Sequence, residues 1–427
     1  MIKIRLKGML LMKKSNNITR EKGLDHSITL LSEGYQFIPK RTARYGTDLF
    51  QTRLLGQNVI CMAGQEAAKM FYDKERFQRD GAAPKRIQKT LFGEIGIQTM
   101  DGSPHEHRKQ LFMSLMTDSR LQQLSELTKQ YWEQRAAKWK KKDKIVLFDE
   151  AQEVLCQAAC EWAGVPIKEA EIPQKADFSN MVDAFGAVGP RHWRGRKARA
   201  RAEKWIRQVI KKIRSGKLKA DEESAAYAMA FHKDLEGKPL NISMAAIELI
   251  NVLRPIVAIA TYITFGALAL HKHPELYDEL RDCSEDRTRM FIQEVRRYYP
   301  FGPFLGARVR RSFIWNQCHF NEGQLVLLDI YGTNHDSRLW KEPYAFSPKR
   351  FKNWNGGLFD LIPQGGGDYY KNHRCPGEWA TIEAMMASLN FLRQLNYEVP
   401  KQNLNYSMVR MPTLPKSKFI MTNVKLK

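Results

Sequence analysis

One cysteine stands out among the residues whose type and position can support chemistry. Cys375 ends the stretch PQGGGDYYKNHRC and directly precedes a predicted helix. Backbone N–H groups at a helix N-terminus carry partial positive charge, so they lower the pKa of a thiol and favour the thiolate. Gly367 closes a run of three glycines that lets the backbone approach a flat ligand, and Gly377 leaves space beside the sulfur. A capped helix with a half-buried structural cysteine is the alternative for this segment.

Two charged segments precede this cysteine. In EVRRYYP, Glu294 and Arg297 are three residues apart on a predicted helix that Pro300 ends, so they share a face and are predicted to pair. An ExxR spacing is too frequent to identify a site by itself. Arg350 lies in FSPKRF, within an irregular, aromatic region between that helix and the cysteine.

A long apolar helix carries a cation. The helix is predicted from about residue 241 to residue 271, with Asn241 or Ser243 as its N-cap. Pro255 lacks a backbone N–H and is expected to kink it. A guanidinium such as that of Arg254 is costly in an apolar helix unless it is paired. An internal salt bridge is the general interpretation, and a bound carboxylate held as a bidentate pair is the alternative.

A pattern of predicted elements positions these residues. LFQTRLLGQNVICMAG alternates around a Gly-Gln-Asn turn and predicts a β-hairpin. Helical periodicity dominates from about residue 64 to residue 272, strand-like segments follow Pro300, and GEWATIEAMMASLNFLRQL predicts the last helix. The chain is therefore predicted to be mainly α with a small antiparallel β portion. No long linker divides it, so residues 22–427 are predicted to form one domain after a basic N-terminal extension, residues 1–21.

Composition restricts the class of protein. The chain has 427 residues, of which 43% are hydrophobic, so wholesale disorder is excluded. The 69 Lys and Arg against 46 Asp and Glu give a net charge of +23, which favours an anionic partner. Six cysteines without a CxxC pair favour a reducing compartment, so a cytoplasmic location is expected. The 16 apolar residues 255–270 are fewer than the roughly 20 that a spanning helix needs, so no integral membrane segment is predicted.

Together, in this order and at these separations, the three segments resemble the cytochrome P-450 superfamily of haem-thiolate enzymes. The resemblance implies the cytochrome P-450 fold and haem b, with Cys375 as the ligand of the haem iron. It also implies that a charged scaffold lies beneath the haem loop and that one helix holds a haem propionate. The implied scaffold residues are Glu294, Arg297 and Arg350, and the implied haem-binding residues are Arg79, His105, Arg108, Lys109, Gly367 and Gly377. A solvated helix face is the alternative for His105, Arg108 and Lys109.

Two departures from the superfamily pattern narrow the resemblance. The loop before the cysteine is longer and lacks the usual Phe, and Arg254-Pro255 replaces the usual acid–alcohol relay of the central helix. LRPIVA, QGGGDYYKNHRC, EVRRYYPFGPFLG, QRDGAAPKRIQKTLFG and DGSPHEHRKQLFMSLMT are similar to the bacterial fatty-acid peroxygenase branch. Members of that branch use hydrogen peroxide without a reductase and hydroxylate long-chain fatty acids at the α or β carbon. The resemblance implies that Arg254 holds the substrate carboxylate, which then serves as general acid/base.

Some members of the branch decarboxylate fatty acids to terminal alkenes instead. Gln98 occupies the position where well-known alkene-forming members carry a His, and Gln cannot supply a proton, so hydroxylation is predicted. Five apolar residues are candidates to line the substrate channel, although each is equally compatible with the core. They are Leu91, Phe92, Val188, Phe301 and Phe304.

Several alternatives stay open at this stage. One is a conventional monooxygenase fed by redox partners, and another is a haem- or fatty-acid-binding protein without turnover. The basic runs at residues 136–144 and 191–219 are predicted to be solvated helix faces, with attraction to fatty acids or a lipid surface as the second interpretation. Nothing resembles a nucleic-acid recognition module, so no nucleic-acid partner is predicted. Met12 is a second possible start, in which case residues 1–11 are dispensable.

Overall fold

A computed structural model describes residues 18–139, 142–167, 173–280 and 284–427, so the two possible starts and residues 1–11 lie outside the described residues. Helices form most of this part of the chain, which confirms the mainly α prediction. The helices are α1 Ser27–Glu33, α2 Phe37–Tyr45, α3 Gln65–Phe71, α4 Lys85–Ile87, α5 Gly102–Ser114, α6 Asp118–Trp139, α7 Leu147–Trp162, α8 Pro173–Asp183, α9 Pro190–Arg214, α10 Ala225–Phe231, α11 Ile242–Ala258, α12 Ala260–Lys272, α13 Pro274–Glu279, α14 Glu285–Tyr298, α15 Ile330–Asn334 and α16 Glu378–Arg393. Shorter helical turns cover Gly34–Gln36, Gln88–Phe92, Ile97–Thr99 and Pro348–Phe351.

The β portion is small and forms three sheets. The strands are β1 Thr19–Arg20, β2 Leu49–Leu54, β3 Gln57–Met62, β4 Phe77–Gln78, β5 Lys144–Val146, β6 Phe304–Val309, β7 Phe313–Trp315, β8 Cys318–Phe320, β9 Leu325–Asp329, β10 Leu395–Glu398 and β11 Ile420–Leu426. Their orders are β1-β2-β3-β9-β6-β4, β10-β11-β5 and β7-β8. Most pairs are antiparallel, but β1–β2 and β3–β9 are parallel, so the largest sheet is mixed.

The predicted hairpin is the pair β2–β3. Its register runs from Leu49 opposite Met62 to Leu54 opposite Gln57. The turn consists of Leu55 and Gly56 rather than the predicted Gly-Gln-Asn, because Gln57 and Asn58 already pair with Leu54 and Arg53. Both turn residues have positive φ, at 51° and 73°. Positive φ at both central positions matches the right-handed twist of a two-residue hairpin, so the turn fixes the register.

The helical half of the molecule surrounds α11 and α12. Asn241 caps α11 by accepting a hydrogen bond from the Met244 N–H at 2.8 Å, as predicted. The predicted single helix is two helices, because it breaks at Ile259, four residues after Pro255. Ile242–Lys272 as a whole is long and apolar enough to cross a membrane, but 72% of its most apolar window is buried inside the fold. It therefore has the burial of a core helix.

Candidate active site

Cys375 lies at the end of a loop that is fastened to the start of α16. Its N–H donates to the Gln364 carbonyl at 3.0 Å, and Gly377 is the N-cap of α16. Burial raises the pKa of the Cys375 thiol, although the Gly377 N–H and the nearby Lys109 ammonium oppose that rise. The N–H at the start of α16 acts to lower this pKa, as expected, but the desolvation of a charged sulfur is larger and sets the net direction. Coordination of a metal ion would deprotonate this thiol.

The glycines of this loop have different roles. Gly365 and Gly367 have φ of +92° and +84°, which side-chain-bearing residues rarely adopt. A Cβ on Gly365 would lie 2.8 Å from the Tyr72 hydroxyl, so the packing of the loop itself requires this glycine. A Cβ on Gly377 would meet the Cys375 sulfur at an ordinary 3.9 Å. Backbone conformation therefore requires glycine at positions 365 and 367, whereas Gly377 leaves space beside the sulfur.

A buried ion network holds the cysteine loop, and the sequence-based analysis missed it. Glu378 accepts a 2.6 Å hydrogen bond from Arg374, on the loop, and a 2.5 Å hydrogen bond from Arg296, on α14. Arg296 also donates to the Gln364 side chain at 3.1 Å. These two guanidinium groups lower the pKa of the Glu378 carboxyl despite its burial. Two features of the sequence indicated this network. Glu378 lies in the first turn of the predicted last helix, and EVRRYYP contains a second arginine, Arg296.

The ExxR residues form the pair that their spacing predicts. Arg297 donates to both carboxylate oxygens of Glu294, at 2.7 and 2.8 Å, and both side chains are fully buried. Arg350 and the Ser347 N–H also donate to Glu294, at 3.2 and 2.8 Å. Arg297 reaches the Asn334 carbonyl at 2.9 Å. The cluster thus ties α14 to the irregular region that leads to the cysteine loop.

Three of the proposed haem-binding side chains approach the cysteine loop. The His105 ring stacks on His373 at 3.8 Å, and the Lys109 ammonium donates to the Arg374 carbonyl. The Arg79 guanidinium lies 5.3 Å from the centre of the Tyr72 ring, whose hydroxyl borders Gly365 of the loop. Burial lowers the pKa of His105 to about 3 and that of Lys109 to about 8. Burial penalises the imidazolium, so the polypeptide alone holds His105 neutral at pH 7.

Arg108 lies elsewhere. It donates to the fully buried Glu248 of α11 at 2.8 Å, and its other terminal nitrogen lies 3.3 Å from the Met244 sulfur. The side chain is buried in an internal ion pair between α5 and α11. This placement does not agree with the propionate-binding role proposed for Arg108.

Arg254 is buried in α11 with little exposure. Among the described residues it forms no ion pair, and its Nε has no hydrogen-bond partner. Burial, with the positive charge of Arg199, lowers its pKa to about 9, whereas the charge of Cys375 acts to raise it. The described part of the chain therefore contains no carboxylate paired with Arg254, and an anion brought to it would relieve the electrostatic cost.

Gln98 contacts Asn251, which lies on α11 one helical turn before Arg254. Asn251 donates to the Gln98 side-chain oxygen at 3.3 Å, to the Phe92 carbonyl at 3.0 Å and to Glu248 at 3.1 Å. Glu248 also accepts from the Ile97 N–H at 3.0 Å. These contacts fix Gln98 and Phe92 against the helix that carries Arg254.

The candidate channel residues differ in their immediate surroundings. Leu91 and Phe92 lie in a π-helical turn whose carbonyls accept from Arg199. Phe301 packs on the Tyr262 ring at 5.3 Å. Phe304 packs against the sheet core, and Val188 is 52% exposed.

The donor set fits a haem. Gly377 leaves space beside the Cys375 sulfur. Two cations, Arg254 on α11 and Lys109 on α5, are close enough to interact electrostatically with that sulfur. The described residues contain no group of three or more His, Cys, Asp or Glu that could hold a bare metal ion. A single thiolate with cations around it is the ligand set of a haem-thiolate protein.

The comparisons with known proteins agree. The cytochrome P450 family model matches residues 286–422. The structure of cytochrome P450EX alpha (CYP152N1) with myristic acid is 46% identical, with a TM-score of 0.93, and covers 96% of this chain and 99% of that chain. Cytochrome P450SP alpha (CYP152B1) in complex with (R)-ibuprophen is 43% identical, with a TM-score of 0.93 and coverage of 95% and 100%. A variant of cytochrome P450 OleT in complex with arachidonic acid is 37% identical, with a TM-score of 0.93 and coverage of 96% and 99%.

The chain belongs to the cytochrome P450 superfamily, and its solved relatives place it with the CYP152 proteins. The sequence-based identification of the bacterial fatty-acid peroxygenase branch is thereby confirmed, together with the P450 fold. Membership makes it a haem-containing oxidoreductase of the monooxygenase type.

Proposed function

We propose that this protein hydroxylates long-chain fatty acids at the α or β carbon with hydrogen peroxide as the oxidant and without a reductase. One observation carries the proposal: Arg254 is buried and forms no ion pair with the described residues. A guanidinium in that setting favours a carboxylate that arrives with the substrate. Fatty-acid ligands in two solved relatives support that choice of substrate.

Haem b, bound through the Cys375 thiolate, supplies the oxidative chemistry. Arg254 binds the carboxylate through two parallel N–H donors, which fixes both its position and its orientation. Fixing the carboxylate also fixes which carbons lie near the reacting centre, so oxidation is directed to the α and β carbons. Arg254 and Pro255 occupy the position of the acid–alcohol relay of other superfamily members. The substrate carboxylate that Arg254 holds takes over the role of that relay and transfers the proton of the peroxide.

Lys109, His105 and Arg79 are proposed to hold the haem, with Gly367 and Gly377 in the loop beside it. Lys109 is the cation whose charge acts on the Cys375 thiol. His105 is neutral at pH 7, so it would contribute as a hydrogen-bond donor, and a propionate beside it would raise its pKa. Glu294, Arg297 and Arg350 are proposed to support the loop from below, together with Arg296 and Glu378.

Gln98 bears on the choice between products. Asn251 and the turn that contains Phe92 hold it next to the helix of Arg254. A Gln side chain can hydrogen-bond but cannot deliver a proton, whereas a His can do both near neutral pH. We therefore expect hydroxy acids in excess of terminal alkenes.

The test is a reaction of the purified haem-loaded protein with myristic acid and hydrogen peroxide, in the absence of any reductase, with products identified by mass spectrometry. We expect 2- or 3-hydroxymyristic acid. Arg254→Ala should lose at least about 100-fold of this activity while it keeps haem, because the carboxylate loses its bidentate partner. Lys197→Ala, which removes an exposed cation from α9, is the matched control and should keep full activity.

Other outcomes would change the proposal in defined ways. Full activity of Arg254→Ala would show that the arginine does not hold the carboxylate. Predominant alkene would retain the peroxide reaction and contradict the argument from Gln98. Product that appears only with redox partners and NAD(P)H would identify a conventional monooxygenase, and ligand binding without product would identify a binding protein. A Cys375→Ala variant that keeps the thiolate absorption signature would show that another residue ligates the iron.

A further inference from the structure

One cation of α9 is buried, and the proposed mechanism does not use it. Most of the basic residues of α9 are exposed, whereas Arg199 is only 2% exposed. Of the charged residues of α9, all of which the structure describes, only Arg199 is buried. A guanidinium away from water is costly unless its donors are satisfied, so the partners of Arg199 explain why it lies there.

The Arg199 guanidinium donates to groups on two elements. Its Nε donates at 2.6 Å to Glu203, one turn further along α9. One terminal nitrogen donates to the Leu91 carbonyl at 2.8 Å, and the other donates to the Phe92 carbonyl at 3.4 Å. Both carbonyls end the π-helical turn Gln88–Phe92, here called the Phe92 turn. The last carbonyls of a helical turn have no partner within it, and Arg199 supplies donors to two of them.

The Phe92 carbonyl also joins this turn to α11. Asn251 donates to it at 3.0 Å, so one carbonyl receives donors from both α9 and α11. Gly93 follows with a φ of +83°, and a Cβ there would lie 2.6 Å from Ile247 Cγ2 and 2.8 Å from the Arg199 guanidinium. The Phe92 turn is therefore packed between the two helices, with Arg199 in contact with its backbone.

A second guanidinium joins the same elements in the opposite direction. Arg86 lies in α4, directly before the Phe92 turn, and donates to the Ala187 carbonyl in the loop that precedes α9. Arg86 is exposed, so water competes for its contact. The contacts of Arg199 are buried, and hydrogen bonds are stronger in the low dielectric of the interior. Arg199 therefore contributes more than Arg86 to holding the turn against α9.

The Phe92 turn is connected to the residues that act on the substrate in the proposed function. Asn251, which holds the Phe92 carbonyl, also donates to Gln98 at 3.3 Å. Arg254 lies one helical turn after Asn251 on α11. The positive charge of Arg199 lowers the pKa of Arg254, so the two guanidinium groups are close enough to interact. Arg199 thus acts on the site in two separable ways, through the position of the turn and through its charge.

We propose that Arg199 is a positioning residue that sets the ratio of α to β hydroxylation by holding the Phe92 turn between α9 and α11. The inference rests on the proposed function for its substrate. Arg254 fixes only the carboxylate end of the fatty acid, so the choice between two adjacent carbons depends on the channel wall, which Phe92 is proposed to line. A displacement of about 1 Å in a group that positions the substrate is enough to change the outcome of a reaction.

The experiment compares Arg199→Lys and Arg199→Met with the parent, each as the full haem-loaded chain. Lys keeps the positive charge but lacks the planar fork, so it cannot reach Glu203 and both carbonyls together, whereas Met also removes the charge. Hydrogen exchange of peptides that cover residues 86–98 is followed by mass spectrometry. The amounts of 2- and 3-hydroxymyristic acid are measured after reaction with hydrogen peroxide. In both variants we expect exchange at least about tenfold faster and a product ratio changed at least about threefold.

Two further variants separate positioning from a general loss of structure. Arg194→Lys is the matched control, because it makes the same substitution at an exposed position of α9, and it should keep the exchange and the ratio of the parent. Gly93→Ala disturbs the same contact while Arg199 stays intact, so it should also speed exchange and shift the ratio. Exchange of peptides from α14 and α16 shows whether a variant loosens as a whole. If the Arg199 variants do so, Gly93→Ala decides the question.

The other outcomes overturn the proposal in distinguishable ways. Parent-like exchange and ratio in Arg199→Lys, with changes only in Arg199→Met, would show that Arg199 acts through its charge on Arg254. Faster exchange with an unchanged ratio would show that the Phe92 turn does not select the carbon. A parent that binds haem but forms no hydroxymyristic acid would overturn the proposed function and this inference with it, whereas parent-like variants of an active parent would overturn this inference alone.

Discussion

Asp329 is a buried acid whose charge the described structure does little to stabilise. It caps α15 by accepting a hydrogen bond from the Gly332 N–H at 2.8 Å, whereas its Oδ2 has no hydrogen-bond partner. Burial raises the pKa of Asp329 from 3.8 to about 7, and the backbone hydrogen bonds only partly oppose this. Between these two pH values the folded chain holds a proton that the unfolded chain has lost, so this group makes stability fall as the pH rises.

Asp329→Asn should remove this pH dependence. Asn is an equally good N-cap and carries no titratable proton, so the cap is kept. Between pH 4 and pH 7, ionisation of Asp329 should lower the unfolding free energy of the parent by on the order of 4 kcal/mol. The variant has no such group and should not show this loss. The measurement is urea unfolding followed by circular dichroism at several pH values. Parallel curves for parent and variant would show that Asp329 ionises normally in the fold.

At the residue scale, sequence predicts which side chains matter better than it predicts their charge state. The ExxR pair and the burial of Arg254 follow from spacing and helix polarity. The pKa of Cys375 did not follow, because it depends on how much burial opposes the helix terminus. The partners of Arg108 and Arg296, namely Glu248 and Glu378, are 140 and 82 residues away in the chain. Only the packed structure brings such pairs together.

Helices α5 and α11 are joined by one buried ion pair. Arg108 and Glu248 are 2.8 Å apart with almost no exposure of either side chain. Burial raises the pKa of Glu248 although Arg108 opposes it, so each charge depends on the other. Glu248 also holds Asn251, which contacts Gln98, so this pair connects helix packing with the candidate active site.

Glu248→Ala should destabilise the protein by about 3–5 kcal/mol, because it leaves the Arg108 guanidinium buried without its partner. The double variant Arg108→Met, Glu248→Leu should recover most of that loss, since apolar side chains of similar volume fill the same space. Chemical unfolding of the parent, Arg108→Met, Glu248→Leu and the double variant completes the cycle, with Glu248→Ala measured beside them. If the double variant is no more stable than Glu248→Ala, the attraction between the two charges stabilises the fold by more than the free energy needed to bury them.

Elements follow from sequence where their determinants are local. The hairpin β2–β3 was predicted from the local alternation of apolar residues, although its turn lies at Leu55 and Gly56 rather than at Gly-Gln-Asn. The cap of α11 was predicted because Asn241 directly precedes the helix. The parallel pairing of β3 with β9 joins Val59 to Leu325 across most of the chain, so no local pattern indicates it. The break at Ile259 lies one helical turn beyond the proline that a sequence pattern detects.

At the scale of the whole molecule, positive charge is distributed unevenly. Helix α9 carries eleven Lys and Arg and one acid, Glu203. Glu203 pairs with Arg199 at 2.6 Å and with Arg207 at 3.3 Å, which leaves most cations of this helix without an acid on the same helix. Like charges at helical spacing repel each other, and a net charge of +23 adds repulsion across the compact state.

Moderate salt should therefore stabilise this protein. Between about 20 mM and about 300 mM NaCl the screening length falls below about 10 Å, so repulsion between exposed cations weakens. Exposed ion pairs also weaken, but each contributes only about 0–1 kcal/mol, so the net effect should be a melting temperature several degrees higher. Lys204→Glu reverses one charge of α9 beside Arg201 and Arg207, so it should raise the melting temperature in low salt and reduce the response to NaCl. Circular dichroism melts of the haem-loaded protein measure both effects, and a melting temperature that falls with salt would mean that attractive pairs outweigh the excess positive charge.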